Sequence, residues 1–225
     1  MKKLLSASAL AGLAALAACG PKEPPKPAPP PPAPKIIHVP ARPTPPNYSS
    51  RTLPVPELGG DGLFKSPNRD ISPAQITWNL RSGYNVAALN CPSPDREEIT
   101  TAYRAFLRKH ARGLTAANRK VDAEFKAKYG ASFIPQRERY MTEVYNHFAL
   151  PPTLNDFCRA ALAMSRDGAT IKLTELDAFA ARSLPSLEIV YDDFYRRYAQ
   201  YKVDDAAWQT QWGSYTTAGG GTATK

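Results

Sequence analysis

Thiols, imidazoles and closely spaced carboxylates support most enzymatic and metal chemistry, and this chain of 225 residues holds three cysteines and three histidines. Cys91 closes the apolar stretch NVAALNC and is followed by Pro92 and Pro94. A thiol in that place could be a nucleophile, a metal ligand or half of a disulfide. The histidines stand far apart, at 38, 110 and 147, and no three or four Cys, His and carboxylate residues share the short spacing of a zinc site. His110 falls on an apolar helical stripe and His147 lies beside Phe148, so both read as core or boundary residues. No G-x-S-x-G elbow, phosphate-cradling glycine loop or C-x-x-C pair occurs. Asp192 with Asp193, and Asp204 with Asp205, are paired only in sequence, because neighbours on a helix point about 100° apart. Asp192 with Arg196 and Asp193 with Arg197 read instead as i,i+4 ion pairs on a solvated face. These patterns name no catalytic residue, metal ligand or cofactor, and the chain reads as a non-enzyme.

The compartment in which Cys91 sits decides among its three roles, and the amino terminus speaks to that. The chain opens MKKLLSASALAGLAALAACG, two lysines before a run of small and apolar residues from Leu4 to Ala18. That is the layout of a secretory signal over residues 1–18. The run is too short and alanine-rich for a membrane span, which needs about 20 apolar residues. Leu16, Ala17, Ala18, Cys19 and Gly20 resemble the lipobox of bacterial lipoproteins, in which the cysteine is acylated, carries palmitate-type chains and becomes the first mature residue. The resemblance implies that Cys19 is lipidated and that the protein is tethered to a membrane rather than spanning it. Gly20, in place of an inner-membrane-retaining aspartate, points by the same likeness to the outer membrane, facing the periplasm.

Residues 19–70 read as the lipidated cysteine followed by a disordered, proline-rich linker. Between Pro21 and Pro56 lie 15 of the 23 prolines. Proline removes backbone donors and locks φ, so an extended arm is expected, about 110 Å long if all 36 residues adopt polyproline II. The turn-rich ELGGDGLFKSPNRD closes it.

Residues 71–213 are long enough for one ordinary core, and their periodicity is helical throughout, predicting an all-α bundle of five to six helices. Ser72 and Pro73 begin helix one, with Ile76, Leu80, Tyr84 and Ala87 on one face. Ser93 and Pro94 begin helix two, with Asp95, Glu97 and Glu98 in its first turn. Thr115 begins helix three, which Gly130 terminates, and Pro135 begins helix four, which Pro151 and Pro152 stop. Thr153 opens helix five, ended by Gly168, and Thr174 caps a last helical region expected to break near Pro185. Residues 214–225 read as a flexible tail.

The formal charge is +9. Arg104, Arg108 and Arg112 form a four-residue stripe on helix two with Lys109 beside it, a face that could meet anionic lipid, lipopolysaccharide phosphate or acidic wall polymer. Secretion excludes nucleic acid as a partner. Two functional readings follow. One is an envelope lipoprotein, membrane-bound through its lipid, whose helical head on a spacer engages an envelope protein or the cell wall. The other is a periplasmic enzyme inhibitor or cell-wall-acting enzyme, although the Glu-Ser dipeptide of many wall-lytic enzymes does not occur.

WNLRSGYNVAALNC together with YNHFALPPTLNDFCRAAL also resembles a group of uncharacterised envelope proteins of Gram-negative bacteria, over about residues 72–165. The likeness carries no activity, and supports only the compartment and the pairing of two cysteines. In an oxidising compartment, Cys91 and Cys158 are expected to pair. Extending the stripe of helix one by four residues reaches Cys91, while Cys158 shares a face with Leu154, Ala161 and Leu162. Both sulfurs then point into one core, and Cys91 at a helix C-terminus sits at the dipole end that opposes a thiolate.

Overall fold

The computed structural model describes Pro27 and residues 37–217. The expected signal segment 1–18, Cys19 and residues 218–225 of the expected tail lie outside the described residues. The chain divides into two units, residues 1–38 and Val39–Lys225. In the first, only Pro27, Ile37 and His38 are described. The second contains, among its described residues, six α-helices and no multi-stranded sheet, the all-α bundle that the periodicity predicts.

Helix α1 (Pro73–Asn90) begins with a capping box, because the Gln75 N–H donates to Ser72 Oγ at 3.1 Å and the Ser72 N–H donates to Gln75 Oε1 at 3.0 Å. It is the central helix, packed against all five others: α2 (Asp95–Lys109), α3 (Ala111–Tyr129), α4 (Phe133–Phe148), α5 (Leu154–Thr170) and α6 (Leu176–Thr217). Of the expected stripe, Leu80, Tyr84 and Ala87 are buried and Ile76 is half-buried, and burial extends further to Thr77, Asn79, Ser82, Gly83, Val86 and Ala88. An aromatic chain runs from Tyr84 through Phe106 to Phe179, with ring centroids 5.4 and 5.9 Å apart, and joins α1, α2 and α6.

Several expected boundaries move, two of them by two residues, since α4 begins at Phe133 rather than Pro135 and Thr174 lies in a short turn before α6 rather than capping it. Helix three was expected from Thr115, yet α3 begins at Ala111, and Arg112 belongs to it rather than to helix two. The interruption is His110 alone, across which the His110 N–H still donates to Phe106 O and the Leu114 N–H to His110 O, each at 2.9 Å. Gly168 does not end helix five, which runs on to Thr170. It is a close-approach position instead: a Cβ there would stand 2.9 Å from Cζ of Phe179, a ring with no exposed surface. Pro185 does not break the last helix, which continues through it to Thr217, so residues 214–217 of the expected tail are helical. Pro185 and Ala181 are both exposed, so water can meet the carbonyl left without a donor while Leu184 and Leu187 stay in the core.

Gly168→Ala is expected to cost about 1–3 kcal/mol through overpacking against Phe179. Gly113 offers the contrast, since its added Cβ would meet only Cδ2 of Leu176, the movable end of a flexible side chain. Helix propensity then favours alanine by about 0.5–1 kcal/mol, so Gly113→Ala is expected to be neutral or stabilising. Urea unfolding of the two variants reads the difference, and equal midpoints would contradict it.

The largest correction concerns the linker. Residues 39–70 are not a free spacer but a strap laid antiparallel along α6. Trp208 Nε1 donates to Pro40 O at 2.9 Å, and Arg42 forks onto the Asp205 carboxylate at 2.7 and 2.9 Å. Tyr198 OH donates to Ser50 O at 2.8 Å and accepts from the Leu53 N–H at 2.9 Å. Arg196 donates to Gly62 O, and Asp192 accepts from the Phe64 N–H at 2.8 Å. The expected domain boundary at residue 71 thus lies at Val39. Seven prolines interrupt the strap, and side chains of α6 donate to its carbonyls at Pro40, Ser50 and Gly62.

Candidate functional site

The strap ends in a short hairpin, with Leu58 bridged to Phe64 and Gly62 at φ 76°, a left-handed value that glycine adopts without cost. The turn delivers Ser66, Asn68 and Arg69 to a polar cluster between α1, α4 and α6. Glu188 is at its centre, 6 % exposed. Ser66 Oγ donates to Glu188 Oε2 at 2.7 Å, Asn68 Nδ2 to Oε1 at 2.7 Å, and His147 Nε2 to Oε1 at 2.9 Å. Asn79, on α1, extends the chain by donating from Nδ2 to Asn68 Oδ1 at 2.9 Å and to Tyr140 OH at 2.5 Å. One turn along α6, Asp192 receives the Phe64 N–H and pairs closely with Arg69.

Burial alone would raise the Glu188 carboxyl, but hydrogen bonds and charge from His147, with those of Ser66 and Asn68, more than offset it and hold the group below its ordinary 4.5. Glu188 is therefore ionised at neutral pH and accepts three side-chain hydrogen bonds, two on Oε1 and one on Oε2, all from within the protein. Ser66 donates to the carboxylate and not to the imidazole, so His147 does not activate it as a nucleophile. The arrangement clamps the hairpin to α4 and α6. A cleft of about 340 Å³ borders the clamp, lined by Asp61, Arg69, Asp70, Ile76 and Ile189 among others.

Sequence periodicity carried a signal for this cluster. Leu184, Leu187, Glu188, Tyr191, Asp192 and Tyr195 form one i, i+3, i+4 stripe on α6, so the two carboxylates lie on a core face. The expected i,i+4 ion pairs of Asp192 and Asp193 with Arg196 and Arg197 do not form. Asp192 faces inward to Arg69, while Arg197 donates to Asn47 Oδ1 at 3.2 Å and lies 3.6 Å from Asp156.

Cys91 and Cys158 are joined, with sulfurs 2.08 Å apart and both residues buried, so neither is a nucleophile or a metal ligand. Arg104, Arg108, Lys109 and Arg112 are all exposed, on α2 and the first turn of α3. No group of three or more His, Cys, Asp or Glu is placed to hold a metal ion among the described residues. No helix among the described residues is long and apolar enough to cross a membrane.

His110 stands apart from the cluster, 2 % exposed, its ring 4.9 Å from that of Phe106, and neither ring nitrogen has a hydrogen-bond partner among the described residues. Burial, with Lys109 adding to it, lowers its proton affinity below the ordinary 6.5. The unfolded chain therefore binds the proton more readily. Stability from this group is complete above pH 6.5 and falls as pH drops from there through the folded value. His110→Leu is expected to remove that part of the pH dependence and to raise stability by about 1 kcal/mol, since two unpartnered buried nitrogens disappear. Denaturant melts at pH 7.5 and 5.5 measure it, and an unchanged slope between them would refute it.

No family model, curated protein or solved structure matches the chain.

Proposed function

We propose that the protein is a lipid-anchored lipoprotein of the cell envelope, on the periplasmic side of the outer membrane, whose helical head is an interaction module rather than an enzyme. The observation that carries this reading is the strap. The polypeptide that follows Cys19 is gripped along α6 by Trp208, Asp205 and Tyr198, so a pull on the amino terminus is borne by a long helix of the head. Nineteen residues separate Cys19 from Val39, which sets an upper reach of about 60 Å in polyproline II in place of the longer arm expected from composition. The buried carboxylates Glu188 and Asp192 are both engaged in clamping the hairpin, which supports a structural role for this cluster.

Labelling of cells with radioactive palmitate tests the anchor. The wild type is expected to incorporate label and to sediment with outer membrane, and Cys19→Ser is expected to do neither. Label retained by Cys19→Ser would overturn the anchor. Cross-linking in intact cells followed by pull-down tests the head, which is expected to capture an envelope protein or wall fragments. Inhibition of a captured wall hydrolase by the purified protein would replace this reading with that of an inhibitor.

A further inference from the structure

The two ends of α6 differ in what gathers around them. At the C-terminal end the chain enters the body, with Pro40 hydrogen-bonded to Trp208. At the N-terminal end, Gly113 lies so close to Leu176 that an added Cβ would come within 2.5 Å of it, and Phe106 packs on Phe179 at 5.9 Å. Arg104 and Arg108 flank Phe106 in sequence, and Arg112 precedes Gly113. Arg112 thus stands beside the first turn of α6, and Arg104 and Arg108 lie on the exposed face of α2, away from Phe106. Leu176 and Trp208 are 32 residues apart, about 48 Å along the helix.

Between Arg104 and Lys128 there are eight lysines and arginines and two carboxylates. Both carboxylates are engaged elsewhere: Asp122 pairs with Arg137 at 2.5 Å, and Glu124 accepts from Ser72 Oγ at 2.8 Å. Arg104, Arg108, Lys109, Arg112, Arg119 and Lys120 are exposed and make no ion pair among the described residues. Small residues separate them, among them Ala105, Ala111, Gly113 and Ala116. None of the large exposed apolar residues falls between 104 and 128. A helix that settles into a lipid interface buries an apolar face, and α2 and α3 expose no large apolar residue, a single leucine, Leu173, bordering them. A hydrated polyanion needs only fixed positive charge, and guanidinium forks match carboxylates well.

We infer that the cationic face formed by Arg104, Arg108, Lys109 and Arg112 binds a carboxylate-bearing polymer at the end of the head opposite the chain's entry. This rests on the proposed anchoring only for the compartment in which such a polymer is met. The binding itself does not depend on the lipid.

The full chain carrying Cys19→Ser, titrated with poly-glutamate at low salt and separately with vesicles containing anionic phospholipid, provides the test. Poly-glutamate is expected to bind, and to bind on the order of tenfold more weakly at 0.5 M salt or with Arg104→Gln, Arg108→Gln and Arg112→Gln combined. Arg139→Gln with Lys202→Gln, two exposed cations elsewhere, is expected to leave binding unchanged. The single charge reversal Arg112→Glu should weaken binding in the same direction, and circular dichroism melts verify that each variant is folded. Absence of poly-glutamate binding, equal binding by the triple variant, or tighter binding to anionic vesicles than to poly-glutamate at matched charge would each overturn the inference. Failure of palmitate labelling in the wild type would remove the anchor and leave these binding results readable.

Discussion

Replacing Cys91 and Cys158 together by alanine is expected to lower the unfolding free energy by about 4 kcal/mol, the chain-entropy value for releasing a 67-residue loop. For a body of this size that corresponds to a fall of about 8–16 °C in Tm. The bridge ties the C-terminal end of α1 to the first half of α5, so the variant frees α5 from the central helix in the unfolded ensemble without opening a large cavity in the folded one. Paired guanidinium melts of wild type and double variant, each also carrying Cys19→Ser, give the number. A loss below about 1 kcal/mol would show that the loop is already constrained in the unfolded chain.

Glu188→Ala is expected to cost a further order of 3–5 kcal/mol, measured alone, because it strands Ser66, Asn68 and His147 as buried donors. Glu188→Gln should lose nearly as much, since its amide nitrogen would face a donor where a carboxylate oxygen accepts. The loss is expected to be local first. Amide hydrogen exchange should accelerate at Phe64, whose N–H is held by Asp192 one turn away, before the bundle as a whole weakens. Protection at Phe64 unchanged in Glu188→Ala would sink the idea of a clamp. The carboxyl's lowered proton affinity adds a pH signature. Its contribution is complete above pH 4.5 and is lost as pH falls through the folded value. Glu188→Gln should flatten the acid limb without touching the slope near pH 6.

Local signals in the chain carried well where one residue decides one event. Ser72 with Pro73, Gly130 and the Pro151–Pro152 pair start or stop helices by hydrogen bonding or steric exclusion within a few residues, and α1, α3 and α4 begin or end there. They failed where a distant partner supplies what the local chain lacks. Pro185 reads as a break, yet packing of Leu184 and Leu187 outweighs one missing hydrogen bond on the solvent side. Asp192 with Arg196 reads as a surface pair, yet Arg69, 123 residues earlier, offers a drier site.

The sequence by itself determined the helical class, the ends of most helices and the register that aims Cys91 and Cys158 into one core, because periodicity, caps and breakers act over a few residues. Only the tertiary structure decided that a proline-rich segment from Val39 to Asp70 belongs to the body, and that Glu188 with His147 holds it there. A strap without its own ladder has no pattern to read. Its hydrogen bonds are completed by Trp208, Tyr198 and Asp192, which come within reach only once α6 has folded.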